Sequence, residues 1–203
     1  MPLSRDNLED SAQQPPLKKL GKSFYLFLVV IILFTLGNSS DAFIILRGQE
    51  RGLNVIQVML MLLAFNAVYT ILSGPAGSLS DRIGRRKLLL AGWFIYGIVY
   101  LGFALANTDW QVWLLYSCYG LYYAATEGVA KALVADLVPS DVRGTAYGLY
   151  NAAIGLTALP ASLIAGVLWQ GLRGWTGFGP SASFFFGAGL ALLAGIFLLI
   201  LPR

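Results

Sequence analysis

Residues 77–87 read GSLSDRIGRRK. Four cations, Arg82, Arg85, Arg86 and Lys87, and one carboxylate, Asp81, fill a short connection between two long apolar runs. Charge at that density fits water or a membrane surface. The runs on either side fit neither, so the stretch reads as a turn between two membrane helices.

The composition supports that reading. Of 203 residues, 57% are hydrophobic and 12% are charged, against about 25% charged in a soluble domain. The net charge of +4 does not point to nucleic acid, because the cations sit in connections between apolar runs and not on one amphipathic face. No histidine is present and there is one cysteine, Cys118. A Ser-His protease, a histidine-bearing metal site, a histidine proton relay and an internal disulfide are thereby excluded within this chain. No cofactor or metal is expected, and the chain does not read as an enzyme. Residues 1–21 are polar, with Pro15 and Pro16 breaking any helix, and read as a cytoplasmic tail or linker. They do not form a signal peptide, because the apolar run that follows is too long.

A membrane helix needs about 20 mostly apolar residues. Six stretches meet that length, at about 22–47, 54–79, 87–106, 110–138, 144–169 and 180–201, so residues 22–203 read as one transmembrane domain. The connections are short, which makes consecutive spans antiparallel neighbours. Ten cations (Arg5, Lys18, Lys19, Lys22, Arg82, Arg85, Arg86, Lys87, Arg143 and Arg203) fall on one side and three (Arg47, Arg51 and Arg173) on the other. That asymmetry places both termini in the cytoplasm.

Topology explains the cations of the turn but not Asp81, which sits at the C-terminal end of the second span, where the helix dipole disfavours an anion. It needs compensation, from Arg82, Arg85, Arg86 or another helix N-terminus. Gly84 permits a positive φ, and Gly77 permits a close approach by another backbone. The pattern Gly77-x-Leu79-Ser80-Asp81-Arg82-x-Gly84-Arg85-Arg86 resembles the cytoplasmic signature of the major facilitator superfamily, which joins the second and third helices of a six-helix half. A second match, Pro139-x-x-x-Arg143-Gly144-x-x-x-Gly148, resembles the turn entering the fifth helix of such a half. The resemblance covers about residues 22–201. It implies an all-α membrane fold of six transmembrane helices, one half of a bundle with 3+3 inverted repeats. Family transporters have two halves with the solute path between them. This chain resembles the C-terminal half, as a fragment of a longer parent, beside a separately encoded half or as a homodimer, and the signature carboxylate would help latch it to the other half.

Three ionisable residues lie within apparent spans, where a charge at the bilayer centre costs about 2.5–3.5 kcal/mol on insertion scales. Thr35, Asn38 and Asp41 recur at steps of three on the first span. Asp41 stands about 27 Å from the cytoplasmic end at 1.5 Å per residue, so solvation at the far interface competes with a buried role. Tyr119, Tyr123, Glu127 and Lys131 recur at steps of four on the fourth span. Glu127 precedes Lys131 in the favourable order for an i,i+4 pair. The pair either neutralises itself near the inner interface or lines a watery cavity. The resemblance implies the cavity reading, since the first and fourth helices of each half line the central cavity in that family. Thr35, Asn38, Asp41, Tyr123, Glu127 and Lys131 are accordingly the candidate solute or ion site. Asn66 and Asn151 read as interhelical hydrogen-bond glue. Trp110, Trp113, Trp169 and Trp175 read as interface anchors. Small residues on the fifth span (Gly144, Gly148, Ala152) and the sixth (Gly187, Ala191, Gly195) read as sites of close helix packing.

The resemblance implies transmembrane transport of a small solute by alternating access, coupled to protons or sodium. The expected partners are the lipid bilayer, a small-molecule solute and a second six-helix half, with no nucleic acid. A bacterial inner membrane is the expected location. The alternative is a non-transporting scaffold or degenerate half acting as an assembly partner.

Overall fold

The computed structural model describes residues 16–201. The tail reading for residues 1–15 lies outside them. A helical turn over Pro16–Lys19 leads into seven helices. These are α1 (Gly21–Gly37), α2 (Ala42–Glu50), α3 (Val55–Ile83), α4 (Arg85–Leu105), α5 (Asp109–Leu137), α6 (Arg143–Gln170) and α7 (Pro180–Ile200). Among the described residues there is no strand, only an isolated bridge between Leu172 and Trp175. Leu20, just ahead of α1, is fully buried.

The first span departs from the continuous helix expected over 22–47. It breaks at Asn38–Asp41, between α1 and α2. Ser39 and Ser40 offer the backbone competing hydrogen bonds: the Ser40 hydroxyl accepts from the Ala42 N–H at 3.3 Å. Inside a bilayer a broken backbone must find other partners. The Tyr96 hydroxyl donates to the Gly37 carbonyl at 2.8 Å, and the Ser40 N–H donates to the Ser162 hydroxyl at 3.3 Å. The break therefore survives because α4 and α6 supply what the helix gives up.

Five stretches are long and apolar enough to cross a membrane: Gly21–Glu50 (α1 with α2), Val55–Ile83, Arg85–Leu105, Ser140–Gln170 and Pro180–Ile200. The six expected spans thus become five on apolar content. The remaining helix, α5, is long enough at 29 residues. It falls short in composition, because Glu127, Lys131, Asp136 and four tyrosines replace apolar residues along it. Its neighbours explain how it tolerates this: α5 lies between α3 and α4, and most of its tyrosines are buried.

The packing order runs α3, α5, α4, α7, with α1 and α6 closing on α7. Large apolar side chains point outward along the bundle, Ile56 and Ile71 on α3, Leu156 on α6 and Ile200 on α7 among them, each roughly 70–80% exposed. An aqueous protein rarely leaves so much oil uncovered; lipid is the solvent these faces fit. With no hydrophobic drive between helices in lipid, close packing takes its place. Gly37 and Gly187 bring α1 and α7 together: a Cβ on Gly187 would stand 2.5 Å from the Gly37 carbonyl oxygen and 2.7 Å from the Tyr100 ring. Gly187→Val is expected to cost about 1–3 kcal/mol by overpacking. Thermal unfolding in detergent measures it, and an unshifted midpoint would remove this contact from the account. The small residues of α6 behave otherwise. A Cβ on Gly144, Gly148 or Gly155 would meet nothing within 4 Å, so that stripe packs against nothing among the described residues.

Candidate functional site

The signature turn comes first, because it fixes the helix ends. Gly84 takes φ 98°, which only the lack of a Cβ makes comfortable. Arg85 reaches across to α5: its Nη1 lies 2.6 Å from Asp136 Oδ1 and donates to the Ala132 carbonyl at 2.7 Å. Its Nη2 stands 3.6 Å from Asp81 Oδ1, so Arg85 helps compensate the turn's carboxylate. Arg86 donates to the Leu198 carbonyl in the last turn of α7. The turn's cations therefore do more than fix topology. Two of them neutralise the carbonyl-rich, electronegative ends of neighbouring helices. Arg82 is exposed. A Cβ on Gly77 would meet nothing within 4 Å, so no backbone among the described residues approaches it. Asp136 escaped the sequence reading; its signal was an acidic residue ending a span on the basic side.

The second turn passes through Pro139 and a 3₁₀ turn at Ser140–Val142. Arg143 Nε donates to the Ala135 carbonyl at 3.3 Å, capping the end of α5. Lys19 pairs with Asp141 at 3.3 Å, linking the segment before α1 to this turn. Gly144 and Gly148 are exposed.

A cavity of about 300 Å³ opens among α1, α4, α5 and α6. Thr35, Asn38, Tyr123, Glu127 and Lys131 all line it. Asp41 does not. The steps of three assumed a continuous helix, and the break after Gly37 turns Asp41 off that face. It stands one layer behind, where the Tyr119 hydroxyl lies 3.3 Å from Oδ1 and the Tyr123 hydroxyl donates to Oδ2 at 3.4 Å. Tyr119 is equally close, 3.3 Å, to Asn38 Oδ1, while Asn38 Nδ2 donates to Tyr122 at 3.3 Å. The tyrosines of α5 thus bind both polar residues of the broken span.

Glu127 and Lys131 form the pair that the spacing suggested, at 3.3 Å. Both side chains are more than two-fifths exposed among the described residues. The other Glu127 oxygen accepts from the Tyr69 hydroxyl of α3 at 2.6 Å. Lys131 Nζ keeps two further N–H donors for other acceptors.

Aromatic rings make the rest of the wall. Phe34 and Trp93 stack at 4.5 Å and 8°, and Tyr122 and Tyr150 complete it. Sequence reading missed Tyr69, Trp93, Tyr122 and Tyr150, because aromatics in apolar spans look like core or interface residues until neighbours are known. Asn151 also lines the cavity. Asn66 does not act as interhelical glue among the described residues: it is exposed and donates to the Leu62 carbonyl of its own helix at 2.8 Å. Trp169 is drawn inward, with ring contacts to Phe43 at 5.7 Å and Phe184 at 6.1 Å.

Beside the signature turn lies a groove of about 330 Å³ between α3 and α5. Small residues floor it, Ser73, Gly77, Ala124 and Gly128, and Asp81 and Arg85 close one end.

Oily helices outside, polar side chains converging inside and cation-rich turns between them define an integral multi-pass membrane protein. The chain belongs to the Major Facilitator Superfamily, whose family profile matches residues 24–203. An uncharacterised MFS-type transporter of Methanocaldococcus jannaschii is 40% identical over 191 residues, covering 91% of this chain and 46% of that protein. The class E tetracycline resistance protein of Escherichia coli is 32% identical over 191 residues, covering 89% of this chain and 44% of the other. A D-xylose transporter of Levilactobacillus brevis is 34% identical over 117 residues, covering 55% and 25%. The chain spans about half the length, or less, of these curated relatives.

Proposed function

We propose that this chain is one six-helix half of a transporter that moves a small solute across the membrane by alternating access, with α5 as its fourth span. The observation that carries this is the cavity: polar side chains of the first and fourth spans converge on one wall, and that wall faces open space. Rocking of two halves around a shared midplane site is the mechanism such a half-cavity serves. Asp41 and Glu127 are the carboxylates available for coupling to protons or sodium. Lys131, Asn38, Thr35 and Tyr123 would meet the solute beside the Trp93 and Tyr150 rings.

The missing half would lie against α3 and α6. Only 17% of the apolar window of each is buried within this chain, and their glycines at 74, 77, 144, 148 and 155 are all open. Small residues are what membrane helices present to one another. In the groove beside Asp81, a helix N-terminus from the second half would find a carboxylate for its dipole. The coverage of the relatives supports a second half of similar size, either in one longer protein or as a separate chain. Both termini would be cytoplasmic, in a bacterial inner membrane. The scaffold reading is not favoured, because the charged residues of the cavity are all present.

The test needs no knowledge of the solute. The chain is joined to the remaining half of the M. jannaschii relative, with Cys118→Ala and Asn151→Cys. A membrane-impermeant maleimide applied to either face of the membrane is expected to label position 151 from both, since alternating access opens the cavity to each side in turn. A cysteine at the lipid-facing Leu192 should be labelled from neither. Labelling of position 151 from one face only would overturn alternating access here.

A further inference from the structure

The connection between α6 and α7, residues 171–179, carries large apolar side chains on its surface. It joins two antiparallel apolar helices, so it lies at the membrane face opposite the signature turn. Yet Leu172, Trp175 and Phe178 are 62%, 42% and 75% exposed. A loop that merely crossed water would bury or omit such residues.

Nor is it slack. Leu172 and Trp175 exchange both backbone hydrogen bonds, at 3.0 and 3.1 Å. The Phe178 N–H turns back to the Leu168 carbonyl at 2.9 Å. Glycine makes this fold possible: a Cβ on Gly171, at φ 81°, would stand 1.7 Å from the Trp175 oxygen, and one on Gly177 2.6 Å from the Gly171 nitrogen. Trp175 and Phe178 meet edge to face at 5.1 Å. The bond from Phe178 to Leu168 holds this exposed ring level with the last turn of an apolar span, at the depth of the bilayer boundary.

We propose that Leu172, Trp175 and Phe178 form a preshaped wedge that inserts into the headgroup and upper acyl region of the bilayer, with Arg173 at the turn facing lipid phosphates. Aromatic rings favour that zone because one end is apolar and the other wet. Order in the loop before insertion means that little chain entropy is lost on contact with lipid.

The experiment uses the chain in vesicles of phosphatidylcholine brominated on the acyl chains. The difference in tryptophan emission between wild type and Trp175→Phe isolates Trp175, while the other four tryptophans report insertion. Bromine is expected to lower the Trp175 emission about twofold or more, with aqueous iodide leaving it unchanged, as for a ring at the acyl boundary. Phe178→Trp in the Trp175→Phe background should behave the same way. Quenching by iodide and not bromine would place the loop in water. Quenching by neither would mean that protein covers it, a second copy or the second half. Either result overturns the wedge.

Discussion

Arg47→Met is expected to lower the stability of the chain by about 2–5 kcal/mol, because buried carbonyls lose their donor at about 1–3 kcal/mol each. Arg47 is 1% exposed, although the sequence placed it among the loop cations. From α2 its guanidinium donates to the carbonyls of Phe103, Ala104 and Ala106 at 3.1–3.2 Å, where α4 ends. It also donates to the Ser181 hydroxyl at 3.3 Å and to Glu50 at 2.8 Å. The Glu50 bond counts for little, since that carboxylate is more than a third exposed. The carbonyls decide the outcome. They are the unsatisfied end of a helix, and a charged donor is worth about 1.5–3 kcal/mol to an acceptor. Methionine fills the volume and donates nothing. Arg47→Lys keeps the charge but loses the fork, so it should recover only part of the loss. Thermal unfolding in detergent measures both, and a methionine variant that melts with wild type would refute this assignment.

The second large effect concerns transport. Asp41→Ala and Glu127→Ala, each made in the chain joined to its second half, are expected to reduce solute flux to background, with membrane insertion unchanged. Loss of Glu127 leaves Lys131 without its pair and the Tyr69 hydroxyl without its acceptor. Loss of Asp41 releases Tyr119 and Tyr123, one of which forms the cavity wall. Tetracycline and D-xylose, taken from the relatives, are the first solutes to try. Insertion is followed by protease protection of the loops. Wild-type flux by both variants would sink the cavity reading.

What could be read from residues alone depended on periodicity. The Glu127–Lys131 pair was legible because four residues bring side chains together on any helix. The positive φ at Gly84 was legible because a glycine between two apolar runs is the residue that takes that conformation without steric cost. The broken first span was not. Ser39 and Ser40 weaken a helix, but only Tyr96 and Ser162, distant in sequence, make the break affordable in lipid, and so Asp41 was assigned to a face it does not share. The aromatic wall was hidden for a similar reason: Trp93 and Tyr122 have no periodic signature that separates cavity from core. The glycines of α6 signalled close packing, but nothing among the described residues packs against them.

The gap between α1 and α2 has a mechanical meaning. Bending a continuous helix breaks bonds along its ladder. Here the ladder is already interrupted at residues 38–41, and the replacement bonds run sideways to α4 and α6. Above the gap, Arg47 rivets α2 to the ends of α4 and α7; below it, α1 lies along α7 and α6. One span is thus divided between two sets of neighbours by a joint that can flex without tearing a helix. Asn38 and Asp41 stand on either side of that joint, so any change of angle there alters how far apart the two polar groups are held.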